Sequence, residues 1–263
     1  MKNSKKIFNL TNTSSALIAE HTDIYHIPYP SSEFNGFQGG CSDGTRYYYQ
    51  ILMRYNELGK IEYSCIAKID VKEKKVVKYS KSIYLDHGND MTYHPAKNLL
   101  MVANNKPHPT KITLIDPDSL EIVGYAEAPM PIYAIEYVPE RDIYVVGMSG
   151  TRSFCFLDSN FNLIDDKSYR MDKSTDRYTK QGLYADKNFI YFILWDGKHK
   201  EMDDFQNIVS IYNYDGKFMG VLDFNLGVQE PENLSVMNGE MLAVCGTEES
   251  GPIIYHFEPK IKN

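Results

Sequence analysis

No apolar run in this sequence approaches the roughly 18 residues that a membrane-spanning helix needs, so no such span is expected. The basic segment Met1 to Leu10 is not followed by an apolar stretch of signal-peptide length, and a cytoplasmic protein is expected on that ground. Cys41, Cys65, Cys155 and Cys245 are scattered and form no CxxC pair, so neither a disulfide framework nor a structural zinc site is suggested. Reduced cysteines buried in strands are expected instead. Positive charge is also short: 28 Lys and Arg stand against 35 Asp and Glu, a net charge of −7. That balance disfavours a general nucleic-acid surface, and neither a nucleic acid nor a membrane is expected as a partner. Walker A, Rossmann, HExxH and GxSxG patterns are all missing. Gln38-Gly39-Gly40 and Gln181-Gly182 read as glycines at the start of strands, so no nucleotide cofactor is expected. Helical periodicity of useful length is absent throughout.

Tryptophan is scarce, with one residue, but 21 Tyr and 12 Phe are present. With Val and Ile they favour strands. Five segments share one shape, a polar or small residue and a short strand, then a turn and a stronger apolar strand. They begin at Gln38, Asn89, Ala134, Gln181 and Glu232, at spacings of 45 to 51 residues. A second repeat runs in phase: apolar strands ending in an acid before a turn, at Ile69-Asp70, Ile115-Asp116, Leu157-Asp158, Tyr214-Asp215 and Phe257-Glu258. Four short strands per unit at this period read as propeller blades. The expected fold is an all-β, five-bladed propeller with four antiparallel strands per blade. After Glu232 the chain has room for only three strands, so the fourth strand of the last blade is expected from the N-terminus, near Ile24 to Ile27. The expected organisation is a polar extension over residues 1–15 and a single propeller domain over 16–263.

In such a ring the inner strands line a central channel, and function concentrates on the loops at one face. The five mouth positions are Gln38, Asn89, Ala134, Gln181 and Glu232, four of them polar. Either these groups bond to one another through water or they hold a ligand. Leu85-Asp86-His87-Gly88-Asn89-Asp90 is the densest cluster of reactive side chains. His87 is a candidate base or ligand contact, or a histidine held by Asp86 or Asp90. Strand alternation puts Asn89 and Asp90 on opposite faces, with Asn89 expected towards the channel. Glu230-Pro231-Glu232 offers two carboxylates for acid and base roles or for a Ca²⁺ ion, with Lys180 placed to neutralise the inward one. Trp195 is either an aromatic wall for a sugar or packing between blades. Asn104 and Arg152 add donors for an anionic group such as phosphate.

The motifs Phe37-Gln38-Gly39-Gly40, Lys180-Gln181-Gly182-Leu183 and Glu230-Pro231-Glu232-Asn233 resemble the five-bladed propellers of the teichoic-acid-biosynthesis-protein-C type. Those also occur in receptor-binding proteins of phages that attack Gram-positive bacteria. The resemblance covers roughly residues 24–259 and implies a bacterial or phage protein. It also implies a top-face site for a cell-wall glycopolymer, with Gln38, Gln181 and Glu232 near the channel. The phage proteins carry a stem or tower domain and this chain does not, which weighs against a virion-associated role. Glu232-Asn233-Leu234 with Asn238-Gly239-Glu240 is similar to the glutamate-rich inner strands of plant and bacterial glutaminyl cyclases, also five-bladed. Three functions are therefore carried forward. The first is a monomeric module binding a polar small molecule or glycan through Gln38, Asn89, Asp90, Lys180, Gln181, Trp195, Asn104 and Arg152. The second is a hydrolase, lyase or cyclase using His87 with Glu230 or Glu232; it expects a perturbed carboxylate in a closed pocket. The third is a protein-interaction propeller, because the fold hosts all three.

Overall fold

The computed structural model describes residues 17–199, 206–224, 229–247 and 249–261. The expected extension over 1–15 lies outside them. Twenty strands make five four-stranded antiparallel blades, and the only helical turns among the described residues are Lys173–Thr175 and Gly197–His199. Strand β1 (Leu17–His26) comes first, followed by blade 1: β2 (Gly36–Ser42), β3 (Tyr47–Tyr55), β4 (Ile61–Asp70) and β5 (Lys75–Tyr79). Blade 2 holds β6 (Asp90–His94), β7 (Leu99–Ala103), β8 (Lys111–Ile115) and β9 (Ile122–Glu127). Blade 3 holds β10 (Ile132–Val138), β11 (Ile143–Met148), β12 (Ser153–Leu157) and β13 (Tyr169–Arg170). Blade 4 holds β14 (Thr179–Ala185), β15 (Phe189–Trp195), β16 (Ile208–Asn213) and β17 (Phe218–Asp223). Blade 5 holds β18 (Glu230–Met237), β19 (Glu240–Thr247) and β20 (Gly251–Ile261), completed by β1.

Strand β1 closes the ring as the repeat requires, but it is longer than the sequence suggested. It pairs antiparallel with β20 from Leu17↔Ile261 to His26↔Ile253. Its first residues also run parallel to β17, at Leu17↔Leu222 and Ile18↔Asp223, so blades 4 and 5 join into one eight-stranded sheet. β1 and β20 are thereby locked together within that sheet, which removes the free strand that an open ring would expose.

The inner strands β2, β6, β10, β14 and β18 each pack against two of the others, in that order around the axis. The hydrophobic core is divided into five clusters, one at each junction between blades. Tyr48, Tyr144, Tyr191 and Tyr212 are fully buried in them, a structural use for part of the tyrosine content. All four cysteines are buried thiols. Asp70, Asp116 and Asp158 cap the turns that follow their strands, whereas Glu258, expected at a strand end, lies inside β20 opposite Glu20 because that strand continues along β1. Asp116 accepts from the backbone N–H of Asp118 and Ser119, and Asp158 accepts from those of Asn160 and Asn162. In blade 4 the residue doing this is Asn213, two positions before the expected Asp215; its side chain accepts from the N–H groups of Asp215 and Lys217.

Close approach at the axis needs glycine. A Cβ at Gly39 would stand 2.4 Å from Asp90 Cα, and one at Gly182 would stand 2.6 Å from the Glu232 carbonyl oxygen. Backbone atoms cannot yield as a flexible side chain would. Gly39→Ala is expected to cost about 1–3 kcal/mol through overpacking. Gly124→Ala, where the new Cβ meets only Leu114 Cδ1 at 3.6 Å, is expected to stay within about 0.5 kcal/mol of the parent. Urea unfolding midpoints at unchanged slope check both.

Candidate functional site

Register breaks shape the mouth of the channel. The ladders of four inner strands slip between Phe37 and Gly40, Ile132 and Ala134, Lys180 and Leu183, and Pro231 and Asn233. Each extra residue bends its strand and turns its side chain. The skipped residues include Gln38, Tyr133, Gln181 and Glu232. Blade 3 therefore presents Tyr133 at the mouth, and the expected Ala134 is a ladder residue paired with Gly147. In blade 1 the slip is stapled by buried Gln50, whose amide donates to the carbonyls of Gln38, Gly39 and Ile51.

Two glutamines and two glutamates converge on one side of the mouth. Gln38 Nε2 lies 3.5 Å from Glu232 Oε1, and Gln181 Nε2 donates to Glu230 Oε1. Gln38, Glu230 and Glu232 border a cleft of about 580 Å³ that is walled by Tyr55 and also lined by Asn35 and Thr247; Gln181 does not line it. Glu232 is 2% exposed. Burial, then the nearby Glu230 and Asp90 carboxylates, pushes its pKa well above the ordinary range. Two buried atoms here, Gln38 Oε1 and Glu232 Oε2, have no hydrogen-bond partner.

Below this cleft Asp90 reaches into the axis. Its Oδ2 accepts from the N–H of Ile135 in blade 3 at 3.0 Å and of Leu183 in blade 4 at 3.3 Å. Burial raises its pKa well above the usual value, against the pull of backbone N–H groups of Ile135, Leu183 and Met91. Its side chain thus takes the inward position expected for Asn89. The reason is local: Asn89 precedes the first ladder pair, Asp90↔Ala103, so strand alternation does not govern it. Asn89 sits higher, where its Oδ1 accepts from Asn105 Nδ2 at 3.2 Å.

His87, Asn89 and Lys180 share a second cleft, of about 520 Å³, with Tyr133 and Lys106. His87 is thus not among the residues around Glu230 and Glu232, and the structure does not assemble a His–Glu pair. Nor does an acid hold His87: Asp86 bonds Asn104 Nδ2 and His108 Nδ1 instead. Burial and the Lys106 charge lower the His87 pKa. Lys180 does not neutralise a glutamate. Its ammonium donates to the carbonyls of Met148 and Thr151 and stands 4.1 Å from the Tyr133 ring centroid. Asn104 is fully buried between Asp86 and the Thr113 hydroxyl. Arg152 braces the loop before β14 through the carbonyls of Thr175 and Tyr178 and the Asp176 carboxylate. Trp195 is half-buried with Gly197 packed against its ring, and it borders neither cleft. Part of its loop, 200–205, lies outside the described residues. Tyr55 and Tyr133, which sequence reasoning passed over, are the aromatic walls of the two clefts. Only the folded chain reveals them, by laying each ring over a glycine, Gly36 and Gly147 respectively, where a Cβ would strike it. Among the described residues no group of three or more His, Cys, Asp or Glu side chains is arranged to hold a metal ion, and no helix is long and apolar enough to cross a membrane.

No protein-family model and no curated relative matches this sequence. The likeness to known proteins is structural. The crystal structure of a glutaminyl cyclase from Myxococcus xanthus superposes with a TM-score of 0.65, covering 95% of this chain and 100% of that one at 9% identity. A putative exported protein from Bacteroides fragilis gives a TM-score of 0.47 over 94% of this chain and 96% of that one at 9% identity. A DUF4221-family protein from Bacteroides vulgatus gives 0.48 over 95% and 98% at 10% identity. At such identities the likeness to the cyclase concerns the five-bladed fold alone. The resemblance to teichoic-acid-type propellers rests on its short motifs.

A carboxyl whose pKa is raised on folding binds its proton more tightly in the folded state. Its contribution to stability is complete below the ordinary carboxyl range and is lost as pH rises through the folded value. Glu232→Gln removes this loss. The variant is expected to gain on the parent by about 1.4 kcal/mol for each pH unit above roughly 4.3, until the folded carboxyl titrates. Chemical denaturation of both proteins between pH 4 and pH 8 checks the sign and the slope.

Proposed function

We propose that this propeller binds a hydroxyl-rich small molecule or glycan in the cleft lined by Gln38, Glu230 and Glu232, with Gln181 bonded to Glu230. The observation that carries this reading is the pair of unpartnered buried atoms on two neighbouring side chains that line the cleft, Gln38 Oε1 and Glu232 Oε2. Burial and the neighbouring carboxylates raise the Glu232 pKa and so favour its protonated form, whose O–H is a donor, while the Gln38 oxygen is an acceptor. A sugar hydroxyl both accepts and donates and satisfies the two together. Tyr55 supplies the apolar wall on which a sugar ring stacks, the role the sequence assigned to Trp195. The cytoplasmic assignment belongs to this proposal too; four buried thiols with no bridge accord with a reducing compartment.

A second reading, an enzyme, is favoured by one feature: Glu232 is a buried carboxyl of raised pKa bordering a cleft, as a general acid must be. The structural likeness to a glutaminyl cyclase supports only the scaffold for it. In this reading Glu232 acts with Glu230, and His87 stands apart.

Arrays of glycans and polar metabolites test the binding reading. The parent is expected to retain at least one hydroxyl-rich compound, and Gln38→Ala combined with Glu232→Gln is expected to weaken that binding at least tenfold (roughly 1.4 kcal/mol). Unchanged binding by the double variant would overturn the site. Turnover of the retained compound, abolished by Glu232→Gln alone, would select the enzyme reading.

A further inference from the structure

We propose that the second cleft, between blades 2, 3 and 4, is a pocket for the oxyanion of a small molecule, a carboxylate or a phosphate, held by Lys180 Nζ, the Asn89 amide and the Tyr133 hydroxyl.

Three donors point to this. Lys180 is fixed by two carbonyls and lies over the Tyr133 ring, and no carboxylate pairs with it among the described residues. Burial and the Arg152 charge lower its pKa to about 8, as expected of a cation with no counter-ion beside it. Asn89 is 6% exposed; its oxygen is taken by Asn105, and its Nδ2 is buried without a partner. Tyr133 is 4% exposed, and its hydroxyl is also buried without a partner. Its ring is seated on Gly147, where a Cβ would come within 2.6 Å, so the hydroxyl cannot swing away to find one. Two orphaned polar groups on nine-tenths-buried side chains in one cleft are costly unless something fills the vacancy in their bonding.

Charge says what kind of partner is missing. His87 and Lys106 also line the cleft, and neither Asp nor Glu does so among the described residues. In a chain of net charge −7 that segregation is local. The Lys180 and Asn89 nitrogens can only donate, and Tyr133 can donate as well. An anionic oxygen accepts all of these bonds and returns to Lys180 the charge stabilisation that burial removes. The volume, about 520 Å³, suits a small molecule. This pocket stands without the sugar-binding reading, since Gln38 and Glu232 do not line it.

The full chain labelled with ¹³Cε-lysine provides the test. The Lys180 signal is assigned by its loss in Lys180→Arg. Inorganic phosphate is titrated in one arm and acetate in the other, at ionic strength held constant with sodium chloride. A saturable shift of the Lys180 signal is expected, with its titration midpoint moving upward from about 8 when the anion is bound. Tyr133→Phe, which keeps the ring packing, and Asn89→Ala are each expected to weaken the anion about tenfold. Gln38→Ala is expected to leave anion binding unchanged. Tighter binding in the phosphate arm would identify a phosphate group, and tighter binding in the acetate arm a carboxylate. No saturable shift with either anion, or parental affinity in both Tyr133→Phe and Asn89→Ala, would overturn the proposal.

Discussion

The inner edges of five strands meet on one axis, and the backbone groups along those edges have no further strand to pair with. This constraint governs the molecule, because buried N–H groups must find acceptors. Asp90 answers for two of them, taking the N–H of Ile135 and Leu183 on one oxygen. Thr92 Oγ1 accepts from Tyr137 N–H in the same way, and Gly39 N–H reaches the Gly88 carbonyl. The geometry works only where no Cβ intervenes, at Gly39 and Gly182. A carboxylate used as a bolt between blades is of necessity buried. Its raised pKa, and its part in raising that of Glu232, follow from its structural role.

The same crowding explains the mouth. Strands converging on an axis shed residues from their ladders as bulges, and bulges turn side chains out of the alternation of a regular strand. Gln38, Gln181 and Glu232 are brought to one side, Tyr133 and Lys180 to another. Acid and base are thereby sorted into two clefts, Glu230 and Glu232 lining one and His87, Lys106 and Lys180 the other.

Periodicity was legible because it reflects packing that recurs. Each blade buries the same faces against the next, so small residues, apolar strands and turn-capping acids return about every 48 residues. Blade number and closure by the N-terminal strand could be inferred from that recurrence and from the length left after Glu232. The convergence of Gln38, Gln181 and Glu232 was legible for the same reason, as equivalent positions of a ring. What could not be read was the phase of side chains beside a bulge. One extra residue exchanges inward for outward, which is why Tyr133 and not Ala134 faces the mouth; Asn89 lies ahead of the first ladder pair of its strand, outside the alternation, and Asp90 enters the axis. Long polar side chains were misjudged on similar grounds. Arg152 and Lys180 have reach enough to find carbonyls 23 to 32 residues away in the chain, and nothing in the local sequence marks which ones.

By itself, then, the sequence determined the all-β repeat, the five blades and the closed ring, because hydrophobic period and turn chemistry act over short stretches of chain. Tertiary structure alone decided the partners of each polar group at the mouth. Those partners come from different blades, as with Gln38 and Glu232, and their meeting depends on register breaks of a single residue.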